Sequence, residues 1–254
     1  MVKVIQSNLL KMIVGFLLLN VIWFIASYYT TTQLIVNPIS VYSKLPQIWS
    51  QSMDTHLLAS LRRIVLGVSI AVLIGFIFTY LLIQNKISKL LIDSFVYISY
   101  PIPKLALLPI VMLLAGIGET TKIIMIVLII VFQIIINLRD GINKIPAESQ
   151  FVATSLGINK KQRLKHIIIP AITPDLLSAL RVAIGTAISV LFVTETYGTD
   201  QGMGFFIVDA WMRINYMEMY AGIVILSFLG FLLFIFIDFL ELITCQWLNN
   251  KSTN

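Results

Sequence analysis

The chain has 254 residues, 58% of them hydrophobic and only 12% charged, with a formal net charge of +6. Soluble domains carry roughly 25% charged residues, and apolar runs such as Ile123 to Ile136 leave no polar face for water, so a soluble globular core is excluded. The positive balance, set beside apolar runs and without aromatic–basic interleaving, reads as contact with anionic lipid rather than with nucleic acid.

A helix needs about 20 apolar residues to cross the hydrocarbon core. Six segments qualify or come close: Leu9 to Ser27, Ile64 to Ile83, Ile98 to Ala115, Lys122 to Asn137, Leu176 to Thr196 and Ala221 to Ile243. The fold class is therefore an all-α polytopic membrane protein of about six transmembrane helices, read as one domain over 1–254. Residues 1–28 have a basic start and an apolar run but no small-residue cleavage site, so they read as an uncleaved first span. GIGET, Gly116 to Thr120, joins the third and fourth spans in a tight reversal that makes them antiparallel neighbours.

Lys3, Lys11, Lys86, Lys89, Arg139, Lys144, Lys160, Lys161, Arg163, Lys165 and Lys251 gather on one side of these spans, eleven of eighteen Lys and Arg. That side is expected to be cytoplasmic, with both termini on it. Small residues at four-residue spacing permit close helix contact in lipid; Gly67, Ala71 and Gly75 mark such a seam on the second span, and Ala179, Ala183 and Ala187 on the fifth. Three prolines in YPIPKLALLP, namely Pro101, Pro103 and Pro109, are expected to keep the start of the third span irregular. Irregular backbone at membrane depth is tolerated where it is buried or lines a cavity, which points Pro101 and Pro103 toward a translocation pathway.

The longest loop on the basic side carries two helix signals. Pro146 suits a first turn and Gly157 a C′ position, giving a helix over Pro146 to Leu156. Asn159 and Gln162 form a capping-box pattern, with Pro170 ending the second helix after Ile169, and Thr173 and Pro174 starting the fifth span. The expectation is a helical hairpin with an apolar edge at Phe151, Val152 and Leu156 and a basic side at Lys160, Lys161, Arg163 and Lys165. A docking surface for a partner and a helix resting on the membrane interface both fit these residues.

In the stretch FVATSLGINKKQRLKHIIIPA, Gly157, Ile167 and Pro170 fall on the pattern E-A-A, three residues, Gly, nine residues, Ile, any residue, Leu-Pro. Ile169 replaces the Leu, and the E-A-A position holds Phe151, Val152 and Ala153. The stretch resembles the cytosolic loop of ABC-transporter permeases. LLASLRRIVLGVSIAVLIG (57–75), YPIPKLALLPIVMLLAGIGETTKI (100–123) and TETYGTDQGMGFFIVDA (194–210) are similar to permeases of the nitrate, sulfonate, taurine and bicarbonate importer group, over about 57–248. The resemblance implies a type I importer permease of the bacterial cell membrane, with a first span and external loop over 1–56 and a coupling loop over 146–170.

It further implies that Phe151, Val152, Ala153, Ser155, Leu156, Gly157 and Pro170 serve the coupling to an ATPase. The partners implied are a cytosolic ABC ATPase subunit, an external substrate-binding protein or lipoprotein, and a second permease copy in a homodimer. No G-x-x-x-x-G-K-[ST] occurs, so the chain has no P-loop; ATP and Mg are expected on the partner, and no cofactor on this chain. The lone Cys245 excludes an intramolecular disulfide, and His56 and His166 lie too far apart in sequence for a metal-ligand spacing. No catalytic residue or metal site is assigned.

Ionisable residues in spans are functional candidates. Glu195, beside Tyr197 and a glycine-rich exit, is read as part of an outer gate or of the surface touched by the binding protein, or else as a helix cap in headgroups; Arg181 either snorkels to the cytosolic interface or meets a substrate anion. Asp238 and Glu241 oppose the dipole of the sixth span, which pairing with Arg139 or Arg181 would offset. The substrate class implied is a sulfonate, nitrate or similar oxyanion, with a thiamine-precursor pyrimidine as the alternative. Outside the family, a transmembrane subunit of a vitamin importer without a separate binding protein and a passive channel or scaffold are the competing classes.

Overall fold

The computed structural model describes residues 2–30 and 34–249, and the side chains of 12–30, 34–50, 53–149, 151, 153 and 155–247. The side chains of Lys3, Lys11 and Val152, and Lys251 altogether, lie outside what is described. Among the described residues every element is helical. Five helices are long and apolar enough to cross a membrane, and a sixth span arises if one bent pair is counted as one.

One compact unit comprises 1–59 and 200–228. It holds α1 (Val2–Tyr29), α2 (Pro38–Ile48), a π-helical turn (Trp49–Met53) and the start of α3 (Asp54–Leu82), together with α10 (Met203–Met212) and the start of α11 (Tyr216–Thr244). Asn37 caps α2, its side chain accepting from the Ile39 N–H at 2.9 Å. Trp23 of α1 stacks on Tyr220 of α11 at 5.3 Å and meets Tyr42 of α2 edge-on at 6.2 Å. His56 stacks on Phe205 at 5.9 Å, meets Phe206 at a tilt at 5.5 Å, and accepts a hydrogen bond from the Gly202 N–H at 3.2 Å.

The other unit comprises 60–199 and 229–254. It contains the rest of α3 and α11, α4 (Lys86–Ser99), α5 (Leu108–Ala115), α6 (Glu119–Asn143), α7 (Ala147–Ser155), α8 (Lys160–Arg163), α9 (Ile169–Glu195) and α12 (Gln246–Asn249). Its core is the α6–α9 pair, where Ile130, Ile134, Leu138, Ala183 and Ala187 have no exposed surface. The expected seams are present. A Cβ added to Gly67 or Gly75 of α3 would stand 2.6 Å from the Cγ2 of Ile126 or Ile134 on α6, so only glycine lets the two backbones approach this closely.

The third span differs from expectation: it starts at Lys86 and is broken, with α4 and the segment 104–115 meeting at 85°. Tyr100 still has α-helical angles and donates to Val96 O, but Pro101 and Pro103 beyond it have no N–H with which to extend the ladder, so the helix stops at Ser99 and resumes as a 3₁₀ turn over Lys104–Leu107. The carbonyls freed by the break are taken up by the Lys104 ammonium, which donates to Ser99 O at 2.8 Å and Tyr100 O at 2.5 Å while lying 4.7 Å from the centre of the Phe132 ring. Pairing of this kind lets irregular backbone persist at membrane depth.

The hairpin also needs correction. Pro170 does not end a helix: α8, a π-helical turn over Leu164–Ile168 and α9 form one continuous helical segment over Lys160–Glu195. The wider π turn comes immediately before the proline, where local π adjustment offsets the missing N–H and the ring's crowding of the preceding turn. Thr173 is no cap; its hydroxyl donates to Ile169 O at 2.7 Å inside α9, and Pro174 is an interior residue. The fifth span thus begins at the loop itself rather than at Leu176.

Candidate functional site

α7 is set off from the spans by its ends. Gly157, at φ +66°, occupies the left-handed C′ position, and the Ile158 N–H donates to Ala153 O at 3.2 Å, the long bond of a Schellman cap. Asn159 and Gln162 then exchange both hydrogen bonds of a capping box, at 2.9 and 3.0 Å. Turned by these caps, α7 buries Ala153 while leaving Phe151 and Leu156 72% and 73% exposed, and Ser155 is exposed beside them. Between α7 and the following helix runs a groove of about 580 Å³, lined by Glu148, Ala153, Leu156, Ile158 and His166 among others. Pro170 lies past this groove, in the first turn of α9.

At the opposite end of α9, Glu195 is fully buried and bound to α3. Its carboxylate accepts from the Arg63 guanidinium at 2.6 Å and from the Ser60 hydroxyl at 2.8 and 2.9 Å. Arg63, itself 1% exposed, turns its other edge to Glu119 at the start of α6, donating through Nε at 2.9 Å and through Nη2. Lys122, one turn along α6, is also buried and donates to Gly118 O at 3.2 Å. Two cations and two carboxylates make this cluster neutral, which is what allows buried charge to persist in low dielectric. It ties the ends of α3, α6 and α9 together.

A second cluster joins α9 to α11. Arg181 donates to Asp238 at 2.7 Å and also pairs with Glu241, so the two carboxylates that oppose the α11 dipole are matched by Arg181. Arg139 is engaged elsewhere, with Asp93 and Asp140. Of the remaining candidates, Tyr197 is half exposed just beyond α9, and Pro101 and Pro103 sit in the break between α4 and α5. Glu195 and Tyr197 are close in sequence but differ in environment, one sealed in the ion cluster and the other open.

A sequence model for the binding-protein-dependent transport system inner membrane component matches residues 67–243. The chain belongs to this family of transport permeases. It is 29% identical to the formylaminopyrimidine transport permease ThiX of Halalkalibacterium halodurans, over 91% of this chain and 93% of that one. It is 32% identical to the taurine transport permease TauC of Escherichia coli (70% and 65%), and 30% identical to the putative aliphatic sulfonates transport permease SsuC of Bacillus subtilis (80% and 74%). Among solved structures, a chain of the inward-facing MetNI methionine ABC transporter superposes with a TM-score of 0.63 at 18% identity, covering 78% of this permease and 96% of that chain. At that identity the likeness is one of fold. The permease is thus a multi-pass inner-membrane component with an importer permease fold.

Arg63, Ser60, Glu119 and Lys122 were not among the residues singled out from sequence. The hydropathy of the second span begins at Ile64, which put Arg63 outside it; the helix actually starts at Asp54, so Arg63 lies well within α3. An arginine three positions after a serine on a helix that continues unbroken into a span was the available signal.

Proposed function

We propose that this permease is the membrane subunit of an ABC importer, and that α7 is the element through which a separate ATPase subunit drives it. The observation that carries the reading is the pair of caps around Gly157 and Asn159, which hold a short helix clear of the spans with Phe151 and Leu156 exposed. An ATPase groove closing on Phe151, Ala153, Ser155 and Leu156 would bury that apolar edge. Val152 joins them by the sequence pattern. In this reading the α7 end is cytosolic and ATP and Mg reside on the ATPase. A second permease copy completes the pathway, and an external binding protein delivers the solute.

Force on α7 would pass through Gly157 into α8 and Pro170, and then along the unbroken 160–195 helix, roughly 50 Å at 1.5 Å per residue. Its far end carries Glu195 and the cluster with Arg63 and Glu119. The outward opening would therefore act where those helix ends are tied, with Tyr197 beside them and the break at Pro101 and Pro103 as the irregular wall of the pathway. Alternating access becomes a tilt of α9, resisted or released at this cluster.

For the solute, the taurine, sulfonate, nitrate and bicarbonate permeases among the relatives favour a small oxyanion. A second reading, an aminopyrimidine, is favoured by the 91% coverage in the match to the formylaminopyrimidine permease. It is also consistent with Arg63 and Arg181 each facing two carboxylates.

Purification of the tagged chain in mild detergent, with mass spectrometry of what accompanies it, tests the assembly. A P-loop ATPase and a secreted or lipid-anchored binding protein are expected, and the ATPase should be lost from a Phe151→Glu, Leu156→Glu variant. Recovery of the chain alone, under conditions that preserve other importers, overturns the proposal. Titrating the recovered binding protein with taurine, nitrate, bicarbonate and formylaminopyrimidine then decides between the two solute classes.

A further inference from the structure

A second cavity, of about 360 Å³, lies where α3 and α6 end and α8 begins. Its polar lining is Lys89 of α4, Lys160 and Arg163 of α8, and Tyr80, Gln84 and Asn143. The described residues that line it include three cations and no carboxylate. Of the acidic residues on the flanking helices, Asp93 and Asp140 pair with Arg139, and Asp175 with Lys144 at 2.5 Å. Among the described residues, Lys89 and Lys160 make no ion pair, although Lys89 reaches Asn143 Oδ1 at 3.5 Å. Two ammonium groups without an ion pair, Lys89 and Lys160, on the lining of one small space repel each other unless an anion shares it.

The position of the cavity says what kind of anion would reach it. Leu82 and Asn143 are the last residues of two spanning helices, so the pocket opens at the level where the chain leaves the hydrocarbon. Leu81, Ile87 and Leu90, in the segments that carry the lining residues Tyr80, Leu82 and Lys89, are 40%, 72% and 66% exposed and add apolar surface there. A ligand with a phosphate group and an acyl tail satisfies both halves. The amide groups of Gln84 and Asn143 and the Tyr80 hydroxyl add neutral donors for phosphate and glycerol oxygens.

We infer that this pocket is a binding site for a phosphate-bearing anion, supplied by the headgroup of an anionic phospholipid and held by Lys89, Lys160 and Arg163. A bound headgroup bridges α4 to α8. It therefore fastens the start of the continuous 160–195 helix to the bent third span, so the local lipid composition would set how readily that helix tilts.

The test uses the full chain purified in mild detergent, titrated with phosphatidylglycerol, phosphatidylcholine or inorganic phosphate, reading the thermal midpoint and, by native mass spectrometry, the lipids retained. Phosphatidylglycerol should raise the midpoint and remain as one bound molecule, while phosphatidylcholine should do neither. A Lys89→Gln, Lys160→Gln, Arg163→Gln variant should need roughly tenfold more phosphatidylglycerol or higher for the same shift. The charge-matched Lys86→Gln, Lys161→Gln, Lys165→Gln variant should behave as wild type. Lys160→Gln alone, on an exposed side chain, should show an intermediate loss and guards against misfolding of the triple variant. Equal loss in both triple variants would reduce the effect to diffuse surface charge and overturn the site, as would a wild type indifferent to phosphatidylglycerol. An equal shift with inorganic phosphate would overturn the lipid assignment in favour of a soluble anion.

Discussion

Arg63 and Glu195, 132 positions apart in sequence, meet at 2.6 Å with both side chains almost wholly out of solvent. Removing one member of a buried pair leaves an uncompensated charge, at a cost of about 3–5 kcal/mol. Glu195 has Arg63 and Ser60 as partners, whereas Arg63 also holds Glu119. Arg63→Met should therefore lower the thermal midpoint of the purified chain far more than Glu195→Gln, which keeps hydrogen-bonding capacity and leaves Arg63 its second carboxylate. Equal losses, or a larger one for Glu195→Gln, would contradict this ordering.

Gly157 is constrained by its backbone rather than by its neighbours. Its φ of +66° disfavours a side chain by about 1–2 kcal/mol, yet a Cβ there would meet nothing within 4 Å. Asparagine, which tolerates this conformation, should be accepted; valine, β-branched, should not. The expected result is normal membrane insertion for both variants, with substrate-stimulated ATP hydrolysis of the assembled transporter retained in Gly157→Asn and lost in Gly157→Val. Normal stimulation in the valine variant would remove the role given to this cap.

The two close approaches of α3 to α6 predict different rescues. At Gly75 an added Cβ collides only with the Cγ2 of Ile134, since the Ile134 Cβ is 3.5 Å away. Gly75→Ala should cost about 1–3 kcal/mol by overpacking, and Ile134→Leu, which lacks that methyl branch, should restore most of it. At Gly67 the Cβ of Ile126 itself stands at 2.8 Å, so Ile126→Leu should not rescue Gly67→Ala. Thermal midpoints of the four variants in detergent read this out.

Ile214 sits in the left-handed conformation at φ +59°, closing α10 with a Schellman cap in which the Asn215 N–H donates to Ala210 O at 2.9 Å. A β-branched residue there is strained, and its side chain is 72% exposed, so little packing offsets the strain. Ile214→Asn should stabilise the chain by about 1 kcal/mol. An unchanged or lowered midpoint would show that the exposed isoleucine makes a stabilising contact of its own.

Much of the fold was legible because membrane burial demands local signals. Apolar length gave the spans, the glycines and alanines marked the helix seams, and Gly157 and the Asn159–Gln162 pair marked both caps of the loop. Pro101 and Pro103 correctly announced the broken third span. Pro170 and Thr173 misled, because a proline need not end a helix when the turn before it can adjust, as the π turn at Leu164–Ile168 does ahead of Pro170.

By composition and spacing alone, the sequence determined that this chain is helical, crosses the membrane several times and carries an ordered loop with a left-handed glycine. Those features depend on interactions within a few residues or on transfer from water to lipid. The tertiary structure alone decided which charges meet: Arg63 with Glu119 and Glu195, Arg181 with Asp238 and Glu241, and Lys104 with the carbonyls of the break. A buried charge in a bilayer must find a partner wherever the fold brings one, and that partner's distance along the chain leaves no periodicity to read.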